Sequence, residues 1–174
     1  MTIKEVAKEA AAMVGVNVDF TQTGDEQTTF EKCVTDTVAR ISDEFCDLKT
    51  TEEIDCDDGK IPYDAFTKKV KRVIKAVKNG KKIPFCEEPD CVKIKENGTL
   101  TITYAYHADA SSLSDKVPLP PVFSLNALAA GTAGEYCFRK GYYKEAEVFD
   151  GRFAKAIERF LRDVKSVTIK AVDE

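Results

Sequence analysis

VPLPPVFSLNALAAGTAGEYCFRKGYYKEAEVFDGRFAKAIERFL, residues 117–161, is the stretch from which the rest of the chain is read. Pro118, Pro120 and Pro121 hold its start extended, and a proline near a first turn suits a helix start. Leu125, Leu128, Ala129, Thr132, Ala133, Tyr136 and Cys137 then recur at the spacing of one helix face. Ala129, Ala130, Gly131, Ala133 and Gly134 make the centre of that helix small, so neighbouring backbones can approach and enclose it. Gly141 follows Arg139–Lys140, the usual punctuation of a helix end. Ala146, Phe149, Phe153, Ile157, Phe160, Leu161 and Val164 restart the helical spacing. Lys144, Glu147, Asp150, Lys155, Glu158 and Arg162 form the opposite, charged face. The stretch is a helical hairpin built for packing, and nothing in it is catalytic.

N-terminal to the hairpin, two more helices are expected. Thr2 with Glu5 forms a capping box for a helix carrying Ile3, Val6, Ala10, Met13 and Val14, which Gly15 ends. Thr28 or Thr29 is the expected cap of a second, with Phe30, Cys33, Val34, Thr37, Val38, Ile41, Phe45 and Leu48 on one face, stopping near Lys49–Thr50. From Glu52 to His107 the texture is that of a β unit. Thr50–Phe66 reads as a long acidic loop, in which KIPYDAF (60–66) is a strand or an extended arm. Asn79–Gly80 and Asn97–Gly98 are hairpin signals. The second is expected to pair CVKIK with TLTITYAY, where Leu100, Ile102, Tyr104 and Tyr106 alternate with polar or small residues. Lys69–Lys78 fits a helix by period and a strand by its β-branched content; strand is preferred, because the Asn-Gly turn needs a partner for Lys81–Phe85. The tail Lys165–Glu174, with Val167, Ile169 and Val172, reads as a short strand or an arm. The fold class is therefore α+β: two N-terminal helices (1–50), an inserted small antiparallel β subdomain (51–108), and a linker, helical hairpin and C-terminal tail (109–174), one structural domain overall.

Composition sets the outer bounds. A chain of 174 residues that is 43% hydrophobic and 32% charged can bury a core. No apolar run approaches the ~20 residues of a membrane span. Lys4, Glu5, Lys8 and Glu9 interrupt what a signal peptide would keep apolar, so a cytoplasmic protein is expected. Six cysteines lie without a regular framework and read as free thiols. His107 stands alone, with no serine or cysteine motif. Cys86 and Cys91 could supply half a zinc site, but no second pair follows. Asp55, Asp57, Asp58 and Gly59 resemble a calcium loop, yet Phe66 stands where its bidentate glutamate belongs. No catalytic residue, metal or cofactor is assigned. The one unusual charge feature is Lys68, Lys69, Lys71, Arg72, Lys75, Lys78, Lys81 and Lys82, with no acidic residue between Phe66 and Phe85. It reads either as a solvated sheet face with a guarded edge or as a basic patch for DNA phosphate or an acidic protein surface. With a net charge of −4, the rest of the chain is acidic, and such segregation suits contacts between copies.

In this order of elements the chain resembles the head-to-tail connector (adaptor) proteins of tailed bacteriophages. Three stretches carry the resemblance: TIKEVAKEAAAMVGV at the start; KVKRVIKAVKNGKKIPF with VKIKENGTLTITYAYHAD in the middle; and the Leu119-Pro120 pair, small-residue helix, glycine turn and amphipathic helix at the end. The resemblance covers most of the chain and rests on residue types. It implies a non-enzymatic virion protein, made in a host bacterial cytoplasm and residing in the neck. It implies a ring of copies, typically twelve, beneath the portal, joined to the next neck or tail protein and passing DNA without sequence-specific binding. Under it Arg162, Val164, Val167, Ile169 and Val172 would dock the portal, with Val167–Val172 adding to a sheet edge. The lysine run would touch a neighbour, because tight phosphate binding would stall DNA passage. The alternatives are a stopper or tail-completion ring protein of the same particle, or a nucleic-acid-binding regulator using Lys68–Lys82.

Overall fold

Thr2 starts the first helix as its residue types require: its hydroxyl accepts the Glu5 N–H at 3.2 Å while the Glu5 carboxylate accepts the Thr2 N–H at 2.7 Å. The computed structural model describes residues 1–109 and 112–170, with side chains up to Arg162. It contains four helices and two antiparallel sheets, an α+β fold with the β unit between the N- and C-terminal helices. The chain divides into two compact units, Met1–Phe45 with Ala108–Glu174, and Cys46–His107.

The helical unit holds α1 (Ile3–Val14), α2 (Asp25–Glu44), α3 (Leu125–Arg139) and α4 (Tyr143–Lys170). The Ile3 and Lys4 N–H groups, which a helix start leaves unpaired, donate to the Asp115 and Leu113 carbonyls, both at 3.0 Å. Gly15 (φ 72°) and Gly141 (φ 80°) end α1 and α3 in the left-handed conformation. The Val16 N–H then reaches Ala11 O at 3.0 Å, and the Tyr142 N–H reaches Cys137 O at 2.8 Å, the long bond of a Schellman motif in each case. Helix α3 is enclosed: Ala127 to Gly134, Tyr136 and Cys137 are all buried. A Cβ on Gly131 would stand 2.8 Å from Thr37 Cγ2 and 2.9 Å from Phe153 Cδ2, so glycine lets α2 and α4 close on α3 from both sides. Phe30 stacks on Tyr136, centroids 4.2 Å apart. Helix α4 buries Ala146, Phe149, Phe153 and Ile157, and its Phe160 ring lies against Phe123, centroids 4.4 Å apart. At ~1.5 Å per residue its 28 residues outrun the 15 of α3 by roughly 20 Å.

The β unit holds β1 (Leu48–Cys56), β2 (Lys60–Pro62), a 3₁₀ turn (Tyr63–Ala65), β3 (Val70–Lys78), β4 (Lys81–Ile83), β5 (Phe85–Glu87), β6 (Cys91–Ile94) and β7 (Gly98–Tyr106). One sheet runs β1-β7-β3-β4, the other β2-β6-β5. Their core gathers Ile54, Cys56, Ile61, Phe66, Val73, Ala76, Val92, Ile94, Leu100, Ile102 and Tyr104. Leu48 pairs with Tyr106, so the chain enters and leaves the unit at neighbouring positions.

The Lys69–Lys78 stretch forms a strand from Val70 to Lys78, and Asn79 (φ 51°) with Gly80 (φ 78°) turns it into β4 with Lys78 opposite Lys81. Five expectations are corrected. The acidic segment after Thr50 is not a loop: it forms β1, which pairs with β7 over its whole length, and the Asp58–Gly59 turn (φ 53° and 71°) leads into β2. The β unit accordingly starts at Cys46, and α2 stops at Glu44, short of Leu48. Asn97–Gly98 is no hairpin: β6 pairs with β2 and β5 while β7 pairs with β1 and β3, and the Asn97 side chain accepts the Gly59 N–H at 2.9 Å. Helix α2 begins at Asp25, and Thr28 and Thr29 bond back to the Gly24 and Asp25 carbonyls instead of capping. Residues 165–170 continue α4 and are not a strand, while Val172 lies outside the described residues.

Candidate interaction surface

The lysine run follows β3 and β4 because the strands alternate. On the core side of the four-stranded sheet β3 presents Val73 and Ala76 opposite Tyr104 and Ile102. The other side takes Arg72 opposite Ala105, Lys75 opposite Thr103, and Val77 between Thr101 and Lys82. Continuing through β7 to β1, the same side carries Lys49, Thr51, Glu53 and Asp55. This face thus has a basic margin at Arg72, Lys75 and Lys82, a threonine centre, and an acidic margin at Glu53 and Asp55. The threonines satisfy one another and the acid: Thr51 and Thr103 hydroxyls lie 3.0 Å apart, and Thr99 donates to Asp55 at 2.7 Å.

The eight cations are not equivalent. Lys71 and Arg72 converge on Asp47, Lys71 at 3.2 Å. The Arg72 guanidinium beside it, helped by Lys71 and opposed by partial burial, holds the Asp47 carboxyl below the usual aspartate range. Lys78 bonds Glu96 at 3.2 Å and the Asn97 carbonyl at 2.7 Å. Lys68, Lys69, Lys75, Lys81 and Lys82 are exposed and, among the described residues, have no ion-pair partner. The bulges beside Lys71 and Ile74 let both the core side and the open side of β3 be served by so basic a strand.

Beneath the run, Tyr104 donates to Glu52 at 2.6 Å and accepts the Lys68 N–H at 3.2 Å, and Glu52 also accepts the Thr67 N–H at 3.1 Å. Burial, reinforced by Glu52, pushes the Tyr104 hydroxyl up to about 12. Burial pushes the Glu52 carboxyl upward too, but the Tyr104 and Thr67 hydrogen bonds outweigh it and leave it below its ordinary value. This polar cluster positions Lys68 and is structural; its ends, acidic Glu52 and aromatic Tyr104, were visible in sequence but their pairing was not.

The other sequence candidates lie apart. Cys86 is exposed on β5, Cys91 is half-buried on β6, and Cys56 is in the core. The His107 N–H donates to the Lys69 carbonyl at 3.0 Å, closing the end of β3. Asp57, Asp58 and Gly59 form the β1–β2 turn. Among the described residues no three Cys, His, Asp or Glu side chains are grouped as a metal site needs. Of the tail residues, Arg162 is exposed and pairs with Glu158 at 3.7 Å. Val164, Val167 and Ile169 continue the α4 backbone. No helix among the described residues is long and apolar enough to cross a membrane. No family model matches the chain, and no curated protein sequence matches it.

Proposed function

We propose that the chain is a structural head-to-tail connector of a tailed bacteriophage, forming a ring beneath the portal and joining it to the next neck or tail protein. The observation that carries this reading is the element order: an enclosed small-residue helix, a glycine turn and a long amphipathic helix close a helical unit into which a β unit is inserted. These are the elements on which the resemblance to connector proteins rests. Two features support protein contact as the use of the sheet face. Its basic margin has an acidic margin opposite, so like copies can meet with opposite charges. Lys71, Arg72 and Lys78 are already engaged by Asp47 and Glu96, which leaves fewer cations for phosphate than the bare run suggests. In this reading Arg162 and the α4 residues after it contact the portal as a helix, and Lys75, Lys81 and Lys82 contact a neighbour.

The test is electron microscopy of the protein mixed with candidate portal rings. The expected result is a matching ring stacked on the portal, lost on truncation after Phe160. Steep salt-dependent DNA binding with no ring would instead assign the lysine run to nucleic acid.

A further inference from the structure

The α3–α4 turn exposes three aromatic side chains within six residues: Phe138, Tyr142 and Tyr143 are 61%, 55% and 66% exposed. The turn itself does not need them, since the Gly141 Schellman bonds already close it. Phe138 and Tyr143 meet edge to face, centroids 5.8 Å apart, and so form one knob. Tyr142 instead lines a separate groove of about 340 Å³, with Met13, Val14, Val16 and Phe149 as its apolar wall and Glu145 among its lining residues. Exposed aromatic clusters of this kind mark contact surfaces, and aromatic anchors dominate interface energies.

We propose that the Phe138–Tyr143 knob of one copy inserts into this groove on a second copy of the chain. Charge selects the occupant. Lys144 adjoins the knob and Glu145 lines the groove, and among the described residues neither has an ion-pair partner. A copy-to-copy contact brings the Lys144 of one chain against the Glu145 of the next, so both find a partner at once. At ~150–250 Å² per ring, two rings and the wall they cover remove roughly 600–1,000 Å² in all. That lies below the ~1,200–2,000 Å² of a standard interface, so the contact is weak and concentration-dependent. Knob and groove adjoin on one chain, so the contact closes as a two-fold pair or propagates head to tail. It requires only the helical unit and does not rest on the connector reading.

The test is sedimentation velocity on the full chain over a wide concentration range. The wild-type mass is expected to rise to two copies or more. The Phe138→Ser/Tyr143→Ser variant keeps only the groove, and Glu145→Lys keeps only the knob, so each alone should be monomeric. Mixed one to one, they should give a heterodimer and nothing larger. Lys144→Glu reads the same contact without touching an apolar side chain: it should weaken association at least ten-fold, and the Lys144→Glu/Glu145→Lys exchange should restore it. A wild type that stays monomeric, variants that keep the wild-type mass, or a mixture that stays monomeric would each overturn the proposal. A failed portal experiment with knob-dependent association would remove the connector reading alone.

Discussion

Two helix-interior glycines show how local surroundings set the sign of one substitution. Alanine is favoured over glycine in a helix by ~1 kcal/mol. At Gly131 the new methyl would stand 2.8 Å from Thr37 Cγ2 and 2.9 Å from Phe153 Cδ2, and overpacking of this kind costs ~1–3 kcal/mol. At Gly151 it would meet nothing within 4 Å among the described residues. Gly131→Ala should therefore lower stability and Gly151→Ala should raise it by about 1 kcal/mol; urea midpoints of the two variants against wild type check both signs. The small-residue run predicted an enclosed helix, and the burial of α3 bears that out. Which glycine is indispensable was not legible, because Thr37 and Phe153 reach it from distant parts of the chain.

At the scale of the element, β3 depends on Asp47 to tolerate its charge. The Asp47 carboxylate, lowered from its ordinary value of 3.8 by Arg72 and then Lys71, binds the proton less readily folded than unfolded. Its stabilisation is therefore complete above the unfolded pKa and is lost as pH falls through the lower folded one. Asp47 and Lys71 are only partly exposed but Arg72 is mostly so, which limits the contribution to ~1 kcal/mol. Asp47→Asn should be less stable than wild type by up to that amount at neutral pH and converge on it near pH 2; urea midpoints measured against pH give the comparison. The neighbouring β1 was the element least legible in sequence. Glu52, Glu53 and Asp55 are poor strand formers, and they form a strand because β7 supplies a partner for each position and Tyr104 and Thr67 satisfy Glu52. The Asp58–Gly59 dipeptide was the available signal, since Asp-Gly is a two-residue hairpin turn. The Asn97–Gly98 misreading has the converse cause: the asparagine serves the Gly59 amide, and the partners of β7 come from far along the chain.

At the scale of the whole molecule, the chain divides into two units, and the β unit has a core of its own. Residues 46–107 contain both sheets, all eleven residues of the buried β cluster and both chain ends on adjacent strands. Expressed alone, this segment should show a β-type circular-dichroism spectrum and one cooperative thermal transition; a spectrum without β signal would show that its core depends on the helical unit. The α+β class and the insertion of the β unit were legible because Asn79–Gly80, the β7 alternation and the helix caps are local signals. The conformation of the tail was not decided by its sequence pattern: Val167 and Ile169 alternate like a strand, yet α4 continues through Lys170.

The pairing of Leu48 with Tyr106 has a kinetic meaning. For α2 to find α3, an unstructured chain would have to close a loop through all of residues 46–107. Once β1 has zipped onto β7, the two ends are held at hydrogen-bonding distance, and only the short segment before Leu48 and the linker from Tyr106 to Leu125 remain to be closed. By the logarithmic dependence of closure entropy on loop length, that removes roughly 1 kcal/mol from the search. The β unit thus acts on the helices as a cross-link made of hydrogen bonds, and slow zipping of its longest ladder would delay closure of the bundle.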